Sequence, residues 1–301
     1  MIDYQIQTTA SDGKFSPREC VRMAKENSLV SVAITDHDTV DGVAEGLEAG
    51  EELGVEVIPG IEISCDEGPH SIHILGLGID HMNARLVEKL HELYSWRENR
   101  AKGFVEKLKE FGFAVEYDDV RKRAAGVVAR PHIADAVMEN PANKEKLERE
   151  GIKVKQDFFI HYIADGAKAY VRSTPFPAEE AISLIHQAGG IAIWSHPTIP
   201  MQDYELVEET LGKFISWGLD GIEVAGDFTA DDTEFLQGLA VKYKVLKSVG
   251  SDFHDKTVRA DRPEDGAKKI GGYKTFGYSI EGIRESLLAA IEKRRAGSPL
   301  S

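Results

Sequence analysis

Val32-Ala33-Ile34-Thr35-Asp36-His37-Asp38 is a short apolar run that ends in two carboxylates and an imidazole. Four more stretches repeat the design: Val57-Ile58-Pro59-Gly60-Ile61-Glu62, His70-Ser71-Ile72-His73-Ile74-Leu75, Ile191-Ala192-Ile193-Trp194-Ser195-His196-Pro197 and Val249-Gly250-Ser251-Asp252-Phe253-His254. Short apolar runs bounded by Gly and Pro read as buried strands of a parallel sheet or barrel. Polar groups at the ends of such strands converge on one mouth, where α/β barrels assemble their active sites. One run carries no signal. Five of them bearing His, Asp and Glu together point to a multinuclear metal centre.

Outward from these runs, roughly the first 80 residues alternate strand and helix signals. Ser16-Pro17-Arg18-Glu19 supplies a capping residue, a proline at the first helical position and a Glu at the third, which predicts a helix through Lys25. Val40 to Leu53 reads as helix and Val55 to Ile63 as strand, the alternation of parallel βα units. From about Asn83 the texture changes. Ala84 to Phe111 is one long amphipathic, charge-laced stretch, and helical sequence continues to about Ile163 without a strong strand. Asn140-Pro141-Ala142-Asn143 through Gly151 is polar and reads as a loop. Residues 89–171 are therefore expected to be a helical insertion into a barrel formed by 1–88 and 172–301. Alternation resumes with a helix over Ala178 to Ala188, a strand over Gly190 to Ser195, the strand Gly221-Ile222-Glu223-Val224, and the run ending at Asp252 and His254. Ser298-Pro299-Leu300-Ser301 reads as a frayed end.

At 301 residues, 42% hydrophobic and 29% charged, the composition is that of a folded soluble protein holding one large α/β unit with an insertion. No apolar stretch approaches the roughly 20 residues that span a bilayer. The opening Met1-Ile2-Asp3-Tyr4 leads straight into motif sequence, so no signal peptide and a cytoplasmic location are expected. Cys20 and Cys65 make no disulfide framework and lack zinc-finger spacing. A net charge of −15 argues against coating long nucleic acid, though bound divalent cations would reverse the sign locally for a small phosphorylated substrate. The sequence leaves the oligomeric state open.

Each ligand-type residue has an ordinary reading beside the metal one. Asp12, in Ser11-Asp12-Gly13, reads by itself as a turn aspartate. His37 lies between Asp36 and Asp38, where helix capping explains one acid but not the imidazole. Glu62 alternates with Ile61 and Ile63, so it points away from two apolar neighbours, and a metal would offset the cost of burying it. His73 lies likewise between Ile72 and Ile74, and His196 precedes Pro197 where a turn would also do. Asp252 and His254, two apart, are expected to face one side of a strand. Together Asp12, His37, Glu62, His73, His196, Asp252 and His254 read as metal ligands.

Ser11-Asp12-Gly13, Ile34-Thr35-Asp36-His37-Asp38-Thr39, Pro59-Gly60-Ile61-Glu62, His73-Ile74-Leu75-Gly76, Ser195-His196-Pro197 and Gly250-Ser251-Asp252-Phe253-His254 resemble, in order, the motifs of the PHP (polymerase and histidinol phosphatase) family of metal-dependent phosphoesterases. The resemblance implies an α/β fold, a distorted seven-stranded βα barrel with up to three metals at its mouth, usually manganese, zinc or iron. It implies one metal on Asp12, His37 and His254, another on Glu62, His73 and His196, and a third bridged by Glu62 and bound by Asp252. The third normally uses a His-x-His on the first strand, where this chain has Gln5-Ile6-Gln7. A glutamine amide is a poorer ligand than imidazole for transition metals, so that site is expected to be weak or empty.

Substrate contacts are expected from the insertion. Arg97 and Arg100 lie three apart, on one helix face, and Arg130-Pro131-His132 follows. A solvated helix face is the plain alternative for the first pair. The resemblance is to the nucleotide branch of the family, where arginines and an Arg-Pro-His at matching places contact phosphate and the same helical insertion occurs. After Gly221-Ile222-Glu223-Val224 relatives often carry a histidine, and this chain has Ala225-Gly226-Asp227-Phe228-Thr229. Trp96, Tyr117 and Phe176 are candidates to stack on a base, though packing explains each. The expected activity is hydrolysis of a nucleoside 3′,5′-bisphosphate or a short 5′-phosphorylated oligonucleotide, with Asp12, His37, Glu62, His196 and Asp252 as catalytic residues. Metal-activated water would attack phosphorus. The alternatives are a metal-binding regulatory protein without turnover, suggested by Gln5 and Gln7, a histidinol-phosphate-type phosphatase, and an amidohydrolase. Nothing resembles the carboxylated lysine that the last would use.

Overall fold

Two residues separate the third strand from the fourth, and that short link decides how the sheet is wound. The computed structural model describes residues 1–68, 70–172, 176–257 and 266–297. In chain order the elements are β1 (Ile2–Asp3), α1 (Pro17–Glu26), β2 (Ser31–Ile34), α2 (Val43–Leu53), β3 (Glu56–Glu67), β4 (His70–Leu77) and α3 (Ala84–Glu110). Then come α4 (Tyr117–Arg123), α5 (Arg130–Met138), α6 (Lys144–Arg149), α7 (Lys155–Phe158) and a π-helical turn, Phe159–Ile163. The chain continues through α8 (Ala178–Gln187), β5 (Ile191–Ser195), α9 (Tyr204–Ser216), β6 (Gly221–Ala225), α10 (Ala230–Tyr243), β7 (Leu246–Val249) and α11 (Ile283–Arg295).

The seven strands lie side by side in sequence order. β1–β2–β3 and β5–β6–β7 pair in parallel, whereas β4 is antiparallel to both neighbours. This corrects the expectation of wholly parallel strands. A parallel crossover needs a dozen or more residues, and two allow only a hairpin. The sheet then curls toward closure. The Tyr4 amide donates to the Val249 carbonyl at 2.9 Å, Gln7 donates to Phe253 at 2.9 Å, and Ile6 forms a parallel bridge with Phe253. The result is a distorted, nearly closed seven-stranded α/β barrel.

Local signals place several helices well. Ser16 and Glu19 form the capping box at the start of α1, with Pro17 in the first turn. α3 runs unbroken over Ala84–Glu110, capped by the Asn83 side chain at 3.1 Å from the Leu86 amide. The stretch 140–151 is not a simple loop, because α6 forms within it. Asn143 is buried, its amide donating to Val137 and Ala114 carbonyls at 2.9 and 3.0 Å while its oxygen accepts from the Ala114 amide at 2.7 Å. One well-paired asparagine and the buried Leu147 suffice to fold a polar segment. The tail 298–301, read as frayed, lies outside the described residues.

Three apolar clusters form the core. A smaller one packs α1 and α2 on β2 through Cys20, Val21, Ala49 and Ile34, and two larger ones organise the rest. One fills the barrel and the inner faces of α8 to α11, with Trp194 fully buried. The other lies among α3 to α7 and the π-helical turn and includes Phe104, Leu108, Phe113, Phe158 and Tyr162. α3 belongs to both: Leu86, Leu90 and Leu93 pack on the barrel, and Ala101, Phe104 and Val105 pack in the insertion. A single rigid helix thus carries the insertion on the barrel and fixes Arg97 and Arg100 between the two.

Candidate active site

Glu62 lies at the bottom of the barrel mouth and is fully buried. Alternation along β3 puts Ile61 and Ile63 into the core and turns Glu62 the other way. Its Oε1 lies 2.8 Å from His73 Nδ1, 3.1 Å from His196 Nε2 and 3.0 Å from the Gln5 amide nitrogen. Its Oε2 accepts from the Gln7 amide and lies 3.6 Å from His37 Nδ1. Burial acts to raise this carboxyl, but the charges of His37 and His73 and the hydrogen bonds from His196 and His73 outweigh it and hold it well below the usual range.

Around this base stand four imidazoles. Ring centroids are 4.8 Å apart for His37 and His73, 5.0 Å for His73 and His196, and 6.0 Å for His37 and His254. Asp12, in the loop after β1, has Oδ1 3.4 Å from His254 Nε2. Burial opposes its charge, yet the charges of His254 and His37 outweigh it and bring it down to about 2. Burial likewise opposes charge on His254 and His196. Asp252 and Asp12 raise His254 to about 9, and Glu62 with Asp252 and Glu223 raises His196 to about 9.

Asp12, His37 and His254 offer three ligand atoms within 4.8 Å of one another, and so do His37, Glu62 and His73. His37 belongs to both groups, and His196 touches Glu62 and His73. Asp12 Oδ1, His37 Nδ1 and His196 Nδ1 are buried without a hydrogen-bond partner among the described residues. Buried imidazole and carboxylate atoms left without a protein partner suit a divalent transition metal, so the residues present fit the group the motifs imply.

The site sits on turns as much as on strands. Asp38, His196 and Asp252 have φ of +51°, +33° and +48°, a left-handed backbone costing a non-glycine residue roughly 1 kcal/mol or more. Asp252 and His254 therefore do not share one face of a strand as expected, because β7 ends at Val249 and the chain turns at Asp252. Three buried acids that the sequence reading did not single out as site residues hold these turns. Asp36 accepts from the Thr8 amide and hydroxyl and from Ser11 at 2.6, 2.8 and 2.7 Å, fixing the loop that carries Asp12. Asp3 accepts from the Ser251 amide at 2.9 Å and from the Gly271 amide at 2.7 Å, fixing the loop that carries Asp252. Glu223 accepts from the His196 amide at 2.8 Å. Burial lifts Asp3 and Asp36 to about 6 and Glu223 well above its ordinary range. Asp3 and Glu223 alternate with apolar strand neighbours as Glu62 does, and that signal was available.

Above the cluster opens a cavity of about 360 Å³, lined by Asp12, His37, His73, His196, Asp252 and His254 on one side and by Arg97, Arg100 and Arg130 on the other. Arg97 donates to Asp38 and, at 2.7 Å, to Ser64. Arg130 donates to Asp165 at 2.8 Å. Arg100 is held by the Val171 carbonyl at 2.9 Å, and its Nη2 is buried without a partner among the described residues. Burial, and then the charge of Arg130, brings its guanidinium down to about 10. His132 does not line the cavity. Its Nδ1 accepts from the Ala129 amide at 3.0 Å, so it caps its own helix as a neutral ring, and burial keeps it below its usual range. Trp96, Tyr117 and Phe176 also stand outside the cavity. Tyr117 donates to Glu98, while Trp96 and Phe176 pack under Lys89 at 5.2 and 5.1 Å. The apolar lining comes instead from residues such as Phe159 and Ile199.

Comparison with known proteins agrees with this geometry. The PHP domain family model matches residues 3–149. A 5′-3′ exoribonuclease of Haemophilus influenzae is 34% identical over 253 residues, 84% of this chain and 89% of the relative. A 3′,5′-nucleoside bisphosphate phosphatase of Chromobacterium violaceum is 29% identical over 273 residues, 90% of each chain. The solved structure of a candidate metal-dependent phosphoesterase from Bifidobacterium adolescentis superposes with a TM-score of 0.79 at 28% identity, covering 96% of this chain and 95% of its own. A barrel mouth of clustered imidazoles and carboxylates, the matching family model and identity extending over 84% of the chain lead to one conclusion: the chain belongs to the PHP family of metal-dependent phosphoesterases.

Proposed function

We propose that this chain releases phosphate from small nucleotides, either nucleoside 3′,5′-bisphosphates or short 5′-phosphorylated oligonucleotides. One observation carries the reading. The imidazole–carboxylate cluster and three arginines line the same cavity of about 360 Å³, a volume suited to a mononucleotide. The named activities of the H. influenzae and C. violaceum relatives support the substrate class. The net charge of −15 favours a short substrate over a long one.

Asp12, His37 and His254 would hold one divalent metal, and Glu62, His73 and His196 with the shared His37 another, with manganese, zinc or iron as candidates. Bound there, such metals supply Lewis acidity and lower the pKa of water. The chain's own groups do the rest. Arg100, with its unpartnered Nη2, offers charge to a phosphate, and the anchored Arg97 and Arg130 orient it. Asp252, at 29% side-chain exposure the most open ionisable group of the cluster, is placed to pass a proton between the cavity and solvent.

A second reading has its own observation. Amide nitrogens of Gln5 and Gln7 occupy both oxygens of Glu62. A carboxylate takes donors, so these amides turn their oxygens away from it and offer no ligand atom there. This favours a weak or empty third metal position and, at its extreme, a metal-binding regulatory protein. Counting metals per chain and assaying phosphate release from a nucleoside 3′,5′-bisphosphate separates the readings. Enzyme function requires release that Arg100→Ala weakens about tenfold or more through KM. No release from any nucleotide, by the native chain or by Gln5→His/Gln7→His, would favour the regulatory reading.

A further inference from the structure

Ile199 is a large apolar side chain left 53% exposed where it lines the cavity. It is not there by slackness of the chain. Its amide donates to the His196 carbonyl at 3.1 Å, and the next residue, Pro200, has its carbonyl 3.1 Å from His70 Nδ1 on β4. The side chain is therefore held at a fixed offset from His196. Phe159 reaches the same cavity from the insertion. It opens the π-helical turn, closed by the Ala164 amide donating to the Phe159 carbonyl at 2.8 Å, and such turns concentrate at functional sites. Arg130 lies over its ring at 5.2 Å and is itself tied to Asp165 at 2.8 Å. Ile199 and Phe159 thus bring anchored apolar groups to a cavity that joins the imidazoles, carboxylates and arginines to further apolar lining such as Phe104, Val128 and Ile133.

We propose that Ile199 and Phe159 seat the nucleobase, so that the phosphate reaches the imidazole–carboxylate cluster from a nucleoside held between barrel and insertion. This rests on the nucleotide reading above and deepens it. A phosphate ester without a base has no use for exposed apolar surface at this mouth. A base does, because burying it against Ile199 removes apolar area from water on both partners. Ser64, taken by Arg97, and Ser71 are the hydroxyls among the described lining residues, with no Asn, Gln or Thr, so the seat holds a base chiefly by contact and discriminates weakly between bases. Both groups are fixed before binding, which limits the ordering cost of closing on the ligand.

Equilibrium binding tests this without turnover. Titration calorimetry on the full chain compares adenosine 5′-phosphate, uridine 5′-phosphate and ribose 5-phosphate. The native protein is expected to bind both nucleotides at least about tenfold more tightly than the sugar phosphate, and the two nucleotides within about tenfold of each other. Ile199→Ala, a surface change, is expected to cut the preference over ribose 5-phosphate roughly 5- to 30-fold, and Ile199→Leu to restore it. Phe159→Leu keeps the packing of the insertion and should also lower the preference. Equal binding of nucleotide and sugar phosphate by the native chain, or a preference untouched in both Ile199→Ala and Phe159→Leu, overturns the proposal. Strong base-dependent binding with no phosphate released would instead sink the activity proposed above and leave the base seat standing.

Discussion

Glu62 is the side chain on which the buried imidazoles and glutamine amides of the barrel mouth converge. It has no solvent contact, yet it stays ionised because imidazoles and two glutamine amides surround it. Replacing it by glutamine keeps the shape but removes the charge, leaving several donors facing one another across a buried site. Glu62→Gln is expected to lower metal bound per chain, measured by plasma mass spectrometry, and to cut phosphate release roughly 100-fold or more. Full metal and activity in that variant would remove Glu62 from the centre. The sequence exposed Glu62 through its alternation with Ile61 and Ile63. The same alternation at Asp3 and Glu223 marks acids that clamp loops instead, because their partners, Ser251 and the His196 amide, are brought in by the fold. Pattern shows that an acid is buried; what it then meets is a long-range fact. Ile199 was illegible for the same reason. A lone isoleucine before a proline has no signal until the cavity beside it exists.

At the scale of elements, the capping box of α1 and the continuous periodicity of α3 are local and could be read directly. The reversal of β4 was also encoded, in the two-residue link, but strand composition alone does not carry direction. Asp252 was legible as a ligand, but not its geometry: β7 ends at Val249 and the chain turns left-handed at Asp252, which breaks the period-two expectation that it shares a face with His254. One element-level tie sets a pH dependence. Arg284 on α11 grips Glu56 at the start of β3 with two bonds of 2.8 and 2.9 Å. Burial pushes Glu56 up, but the hydrogen bond from Arg284 and one from Ser31 outweigh it and leave the carboxyl below its ordinary value. A depressed acid stabilises the fold above its unfolded pKa, near 4.3, and loses that contribution as pH falls through the lower folded value. Arg284→Ala is expected to cost about 0.5–1 kcal/mol at pH 7, since the pair is a third exposed, and progressively less below pH about 4. Urea melts at pH 7 and pH 3.5 measure this. An equal loss at both would mean the arginine stabilises by packing alone.

Across the whole molecule, the proposed function depends on the helical segment from α3 to α7 sitting close on the barrel. α3 provides the shaft, and a second contact lies at the mouth, where the Val127 amide donates to the Ala10 carbonyl at 3.1 Å. Gly126 permits that approach, since a Cβ there would lie 1.9 Å from the Ala10 oxygen. Gly126→Ala should force the two parts away from each other, costing about 1–3 kcal/mol and raising KM for nucleotide more than it lowers kcat. Unchanged thermal stability and KM would show that this seam is not what sets the cavity. No helix among the described residues is long and apolar enough to cross a membrane. The central claim is metal-dependent release of phosphate from a nucleotide at the shared cavity. Its most direct measurement is inorganic phosphate produced from adenosine 3′,5′-bisphosphate by the purified chain, before chelation, after it, and after manganese is restored. Release that stops on chelation and returns with the metal is the expected result. Phosphate release that chelation leaves unchanged, or none with any of manganese, zinc or iron supplied, would contradict it.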